Sequence, residues 1–307
     1  MRSVVFAYHD IGYVCLEELV RLGSEVSLVI THEDDPTENI WFRSVAKLAG
    51  RLGLPVFAPV DVNTPAWIER VASCRPNFLF SFYYRKLLRR DFLEIPTHGA
   101  LNLHGSLLPR YRGRCPVNWV IIHDEKETGV TLHYMTEKPD AGDIVAQRAV
   151  PIDDTDTALS VYGKLTEIAP VVLREVYPLL CAGKAPRIPQ NHGQATYFGG
   201  RRPEDGRIDW RRSAREVFNL VRAVTRPYPG AFAVWRGKEL KVWRASIAAC
   251  SQSSGLPGVV LQATPTLMVQ CGCGAVVLEE VQFDSAMPCP GSVWASRHGI
   301  DVGDQLQ

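Results

Sequence analysis

The feature that most limits the folds open to this chain is the exchange of short apolar runs with amphipathic segments over residues 1–150. Val4–Tyr8 reads as a strand, and Gly12–Leu22 reads as a helix with Val14, Leu16, Leu19, Val20 and Leu22 at helical spacing. Val26–Ile30 reads as the next strand. A strand–helix–strand unit of this kind builds a parallel sheet with right-handed crossovers. The exchange continues through a helix around Trp41–Leu52, a strand Pro55–Ala58, a helix Pro65–Ser73 capped by Thr64, and the very apolar strand Phe78–Phe82. The intervening loop Thr31–Asn39 carries Glu33, Asp34, Asp35 and Glu38 and reads as hydrated, mobile surface.

One strand carries polar groups where a core strand wants Val or Ile. In Ala100–His104 the alternation places Asn102 and His104 on the same face. They form either a hydrogen-bonded structural pair or a reacting site at the carboxyl end of a strand, where open α/β sheets bind ligands. The loop after this strand bears Pro109, Gly113 and the arginines 110, 112 and 114, which suits a rim that holds anions. At the tip of Phe78–Phe82, the residues Tyr83, Tyr84, Arg85 and Lys86 either seal the sheet end or offer a surface to a flat ring.

The run Asn102-Leu-His104-Gly-Ser106-Leu-Leu-Pro109-Arg-Tyr111-Arg-Gly113, with Thr128–His133 and then Asp140-Ala-Gly142-Asp143, resembles the folate-dependent formyltransferases. The resemblance spans nearly the whole chain. Phe6–Asp10, Phe80–Arg85 and Arg112–Trp119 are most similar to the members that formylate UDP-4-amino-4-deoxy-L-arabinose in lipid A modification and polymyxin resistance. The resemblance implies that the first domain is a Rossmann-like parallel-sheet α/β formyltransferase domain, with a small OB-like β-barrel at the carboxyl end. It implies that Asn102, His104 and Asp140 form the catalytic set. The implied co-substrate is 10-formyltetrahydrofolate, held by Tyr84, Arg85, Lys86, Leu87 and Leu88 and by Thr136, Glu137, Lys138, Pro139 and Asp140, without a metal. By the same resemblance, Tyr111, Arg114 and Trp119 shape the acceptor pocket.

Those residue types suit formyl transfer to an amine. Asn102 offers an uncharged N–H to a developing oxyanion, His104 can donate and exchange a proton, and Asp140 can orient the imidazole. Arg114 can grip phosphate bidentately, the alternative being a plain surface arginine. Ser106 reads as a turn stabiliser, and His9 and His133 read as structural. Methionyl-tRNA formyltransferases share the Asn, His and Asp pattern but resemble W-R-G-A-A-P where this chain has Tyr111-Arg-Gly-Arg114-Cys-Pro116. Arg114 and a net charge of +1 favour a small phosphate-bearing acceptor over nucleic acid. Another nucleotide-linked 4-amino sugar, hydrolysis of formylfolate and a binding module without catalysis stay open, as does a homo-oligomer.

At 307 residues the chain exceeds what one core usually supports, about 250–300 residues, so two domains are expected. No apolar run reaches the roughly 20 residues of a membrane helix, and Met-Arg-Ser leads into the first strand without a signal-peptide pattern. A cytoplasmic protein without stable membrane insertion is expected. The eight cysteines are scattered singly apart from Cys271-Gly-Cys273, which lacks a second pair at zinc spacing, so free thiols are expected. His9-Asp10-Ile11-Gly12 has one glycine where a dinucleotide fingerprint needs three, which argues against a nicotinamide cofactor.

Beyond the strand Ile144–Val150, Asp154-Thr-Asp156-Thr157 caps a helix Ala158–Leu180 that Gly183 and Pro186 end. The Gly- and Gln-rich stretch after Pro189 reads as a connection, which places a catalytic domain at 1–203 and the OB-like domain at 204–307. A helix Ala214–Ala223 and five runs (Ala231–Trp235, Leu240–Ala245, Gly258–Gln262, Thr266–Gln270 and Ala275–Val281) read as a small barrel. It lacks a dense basic stripe with interleaved aromatics, so a structural or oligomer-contacting role fits better than nucleic-acid binding.

Overall fold

Val4, Val5, Phe6 and Ala7 are all fully buried, because the strand they form is covered on both faces and so reads as an unbroken apolar run. This is β1 (Arg2–Ala7) of a computed structural model that describes residues 1–249 and 255–307. It is followed by α1 (His9–Arg21), β2 (Glu25–Ile30), α2 (Val45–Arg51), β3 (Val56–Phe57), α3 (Pro65–Ser73), β4 (Phe78–Phe82), α4 (Arg90–Leu93), β5 (Gly99–His104), β6 (Arg112–Gly113), α5 (Pro116–Ile122), β7 (Glu127–Tyr134), β8 (Ile144–Pro151), α6 (Ala158–Cys181) and β9 (Tyr197–Phe198).

The main sheet has the order β3-β2-β1-β4-β5-β7-β8. The first five strands are parallel, and β7 and β8 are added antiparallel. The chain winds outward from β1 to β3 and then returns to place β4 on the other side of β1, which makes the β1/β4 boundary a topological switch point. One face of the sheet presents Val4, Phe6, Leu28, Ile30, Leu79 and Ala100 to Val71, Leu88 and Phe92. Asn102 lies two residues beyond Ala100 and His104 two further, so the strand period carries both polar groups along that apolar face.

The helices start later or earlier than periodicity suggested, and the reasons are local. Ser44 caps α2 by accepting from the Lys47 amide at 3.3 Å, so residues 41–44 stay outside the helix. Thr64 stands at the N-cap of α3 with extended backbone but makes no side-chain cap bond. Thr157 and Ser160 exchange hydrogen bonds of 2.9 and 3.3 Å at the start of α6, which runs through Pro170 and Pro178 and stops before Gly183, at φ +66°. The acidic loop is exposed but tied at two points, with the Tyr8 hydroxyl donating to Asp34 at 2.8 Å and Arg85 pairing with Glu38 at 2.8 Å.

The first compact unit comprises residues 1–116, 127–151 and 162–199, and the second comprises 117–126, 152–161 and 200–307. In the second, Asn118 donates to the Ala223 carbonyl at 2.7 Å. Its α7 (Ala214–Val224) begins with a reciprocal Ser213–Glu216 capping box. Then come β10 (Ala231–Trp235), β11 (Lys238–Ile247), β12 (Val260–Gln262), β13 (Leu267–Gln270), β14 (Ala275–Phe283), β15 (Cys289–Pro290) and α8 (Gly291–His298). They form a curled antiparallel, OB-like sheet ordered β10-β11-β14-β13-β12, with β15 on β14. The terminal residues bond to both ends of this path, Gln307 exchanging bonds with Val234 of β10 and Asp304 accepting from Val260 of β12. Cys15, Cys74, Cys115, Cys181, Cys271, Cys273 and Cys289 are free, and Cys250 lies outside the described residues. No helix among the described residues is long and apolar enough to cross a membrane.

A short parallel pair, β6 with β9, fixes the loop after β5. Gly113 sits there at φ +98°, and a Cβ on it would stand 2.2 Å from the Phe198 carbonyl oxygen. Gly113→Ala is expected to lower stability by about 1–3 kcal/mol, through left-handed strain and separation of this pair. A urea midpoint equal to wild type would show that β6 and β9 separate at no cost.

Candidate active site

The site is built on β5 and the antiparallel strand beside it. Asn102 is in register with Ser81 of β4 on one side and His133 of β7 on the other. The His133 ring, 1% exposed, places Nδ1 2.8 Å from the Tyr134 carbonyl. A carbonyl only accepts, so Nδ1 carries the proton and Nε2 presents its lone pair. The Asn102 amide nitrogen stands 3.2 Å from that Nε2 and donates one N–H to it, leaving the second N–H for another acceptor.

His104 is held in the same manner, its Nε2 donating to the Tyr111 carbonyl at 2.7 Å. Its Nδ1 therefore faces the site. Asp140 reaches both rings, with Oδ1 at 3.5 Å from His104 Nδ1 and 3.6 Å from His133 Nε2. Both are long for a hydrogen bond, so His133 serves Asn102 at 3.2 Å while Asp140 and His104 interact as a charge and an imidazole. Burial raises the Asp140 carboxyl, but His104 and the Gly113 amide, which donates to Oδ2 at 2.9 Å, work against it, and the group lies below its ordinary value of 3.8. The stability this gives is complete above the ordinary value and is lost as pH falls through the lowered one.

Two loops from opposite ends of their strands bring Asp140 here. β7 runs antiparallel to β5, so the segment 135–143 leaves from the amino-terminal end of β5 and folds back over the sheet face. The site thus lies on that face, between this segment and the loop after His104, rather than only at a strand tip. Gly142 permits the return, since a Cβ there would stand 2.0 Å from the Tyr134 carbonyl oxygen. Gln190 fixes it by donating to the carbonyls of Asp140 and Gly142 at 2.9 and 2.7 Å. Its own carbonyl takes the guanidinium of Arg112, which is fully buried and also contacts Tyr197 and His192.

The arginine-bearing loop therefore divides. Arg112 is internal scaffolding, a correction to its reading as part of an anion-holding rim, whereas Arg114 is exposed. Tyr111 is 6% exposed with its ring stacked on Phe198 at 5.1 Å, and its carbonyl holds His104. Ser106 donates to the Arg110 carbonyl at 2.7 Å and stabilises its own turn. Trp119 belongs to the second unit, stacked on His123 with the Arg201 guanidinium 4.7 Å from its ring. His133, Arg112 and Gln190 were missed as site residues. For His133 the signal was present, since alternation along β7 puts it on a defined face, but the register against Asn102 is invisible in sequence.

The two segments expected to hold a co-substrate converge. Tyr84, Leu88 and Met135 pack on one core cluster, and Glu137 lies 3.4 Å from Arg90. The Tyr84 ring is stacked on His32 at 4.2 Å, and its buried hydroxyl has no partner. Arg85 turns toward Glu38, His9 and Tyr8, Lys86 donates to the carbonyls of Pro59 and Val60, and Leu87 is exposed. In the other segment Thr136 donates to the Lys138 carbonyl at 2.8 Å, Lys138 lies 5.2 Å over Tyr197, and Pro139 is exposed. Among the described residues no cluster of His, Cys, Asp and Glu has a metal-holding arrangement.

Comparison with known proteins agrees with this architecture. The formyl transferase family model matches residues 13–177, and the model of the formyl transferase C-terminal domain matches 201–299. The N-formyltransferase of Helicobacter canadensis, solved with folinic acid and dTDP-3-aminofucose, is similar at 18% identity and a TM-score of 0.70, over 92% of this chain and 99% of that one. A sugar N-formyltransferase from a Shewanella species is similar at 18% identity and a TM-score of 0.63, over 79% and 96%. HypX from Aquifex aeolicus, solved with tetrahydrofolic acid, is similar at 20% identity and 0.63, over 98% of this chain and 48% of that one. At these identities the structures establish a shared fold, and with the family match over more than half its length the chain belongs to the formyl transferase family.

Proposed function

We propose that the protein transfers a formyl group from 10-formyltetrahydrofolate to the 4-amine of a UDP-linked amino sugar, with UDP-4-amino-4-deoxy-L-arabinose as the acceptor. The observation that carries the reaction type is the Asp140 carboxylate beside the free Nδ1 of His104, next to an Asn102 amide with one N–H uncommitted. The co-substrate supplies the formyl carbon. Asn102 stabilises the oxyanion that forms when the neutral amine adds to it, because its N–H is aimed before the charge develops. His104 takes the amine proton at Nδ1, which lies 3.5 Å from the Asp140 carboxylate, and returns it to the departing folate nitrogen. His133 acts through Asn102 by fixing the orientation of its amide. The converging segments 84–88 and 136–140, with the orphaned Tyr84 hydroxyl, fit a polar heterocycle. Support for the acceptor class comes from the H. canadensis relative with its dTDP-amino sugar and from Arg114, exposed beside the Gly113 amide that binds Asp140.

Incubating the protein with 10-formyltetrahydrofolate should release tetrahydrofolate only when UDP-4-amino-4-deoxy-L-arabinose is added. Equal release without an amino sugar would make the protein a hydrolase instead.

Side-chain removal should separate the roles. Asp140→Asn and His104→Ala are each expected to lower kcat by roughly 10²–10⁴, with the double variant little worse than either. His133→Leu should cost about 10–10² in kcat with the acceptor KM nearly unchanged, and His133→Gln, whose carbonyl can accept from Asn102, should recover much of it. Near-wild-type turnover in Asp140→Asn would remove that carboxylate from the mechanism. Equal loss in the Leu and Gln variants would reduce His133 to a packing role.

A further inference from the structure

At the same carboxyl end of the parallel strands, on the other side of the switch point, β1, β2 and β3 open into a cleft of about 380 Å³. One wall is apolar, formed by Val45, Ala46, Val56 and Phe57. The lining also carries His32, Glu33 and Asp34. Asp34 is fixed by the Tyr8 hydroxyl at 2.8 Å, just past the second strand, where doubly wound folds place the acidic residue that takes a ribose hydroxyl. The His32 Nε2 accepts the Arg85 amide at 3.1 Å, so Nδ1 keeps its proton as a donor. Burial, with Lys86 and Arg85, pushes His32 down to about 4, so the ring is neutral at pH 7.

A neutral donor and an oriented carboxylate in a cleft that also has an apolar lining suit a flat base and a ribose diol. They do not suit a bare anion, which Glu33 and Asp34 would repel. The cleft is also the right distance from the reacting residues. From β2 to β5 there are three strand spacings, about 14 Å, which a nucleotide diphosphate sugar extended from base to sugar amine can span. Arg85, at the tip of β4, lies on that path.

We propose that this cleft holds the nucleoside of the acceptor, with the ribose 2′-hydroxyl on Asp34, an inference that rests on the nucleotide-sugar reading above. The test uses the full chain, UDP and 2′-deoxyuridine diphosphate as calorimetric ligands, and the variants Ala46→Trp, which fills the cleft from an exposed helical position, and Asp34→Ala. Ala46→Trp should weaken UDP binding and raise the acceptor KM by about tenfold or more, with the folate KM and melting temperature unchanged. Wild type should prefer UDP over its 2′-deoxy form by about tenfold, and Asp34→Ala should reduce that preference to within about twofold. An Ala46→Trp protein that melts like wild type and keeps its acceptor KM overturns the cleft assignment while the nucleotide-sugar reading stands. A wild-type protein that formylates no nucleotide-linked sugar and binds no UDP overturns both.

Discussion

The site depends on one carboxylate set between two imidazoles. Asp140 is a costly group to hold there, nearly buried at 12% side-chain exposure and at a positive φ of 55°. The cost is offset by its neighbours. The Gly113 amide donates to one oxygen and the two rings flank the other, while Gln190, itself held by Arg112, anchors the carbonyls of Asp140 and Gly142. Because both histidines are tied to backbone carbonyls through their outer nitrogens, only their inner nitrogens can change proton state near the carboxylate. Asn102 then distinguishes the two rings, since it needs a lone pair on His133 and so leaves the proton traffic to His104.

The parallel half of the sheet was legible because its strands are buried on both faces and its helices are amphipathic. Phe78–Phe82 and Pro65–Ser73 have the bounds expected of them, as does Ala231–Trp235. The reversed direction of β7, between β5 and β8, was not legible, because apolar runs do not encode strand direction. In the second unit β15, α8 and the terminal pairing with β10 and β12 went unread, since two-residue strands and tail contacts leave no period. At the site, alternation alone placed Asn102 with His104, and the family resemblance supplied Asp140. Arg112 could not be read as buried, because an arginine in a polar loop is normally exposed and its neutral partners Gln190 and Tyr197 lie far along the chain.

The acidic segment after β2 shows how local charge misleads. Its composition reads as hydration, and most of it is exposed, yet Tyr8 and Arg85 hold Asp34 and Glu38 in place. Those contacts draw β1, β2 and β4 into one polar rim around His32. A doubly wound sheet exposes several strand ends side by side, so a long substrate can be gripped at one pair of strands and react at another.

His133 is a fixed acceptor for Asn102, and His104 carries the proton. The most direct measurement is the ¹⁵N NMR tautomer assignment of the histidine rings in the intact protein at neutral pH. His133 should be protonated at Nδ1 and bare at Nε2, with that pattern unchanged in Asp140→Asn. A proton on His133 Nε2 would contradict it, because the ring would then donate to the Asn102 carbonyl oxygen and the amide N–H would have no acceptor there.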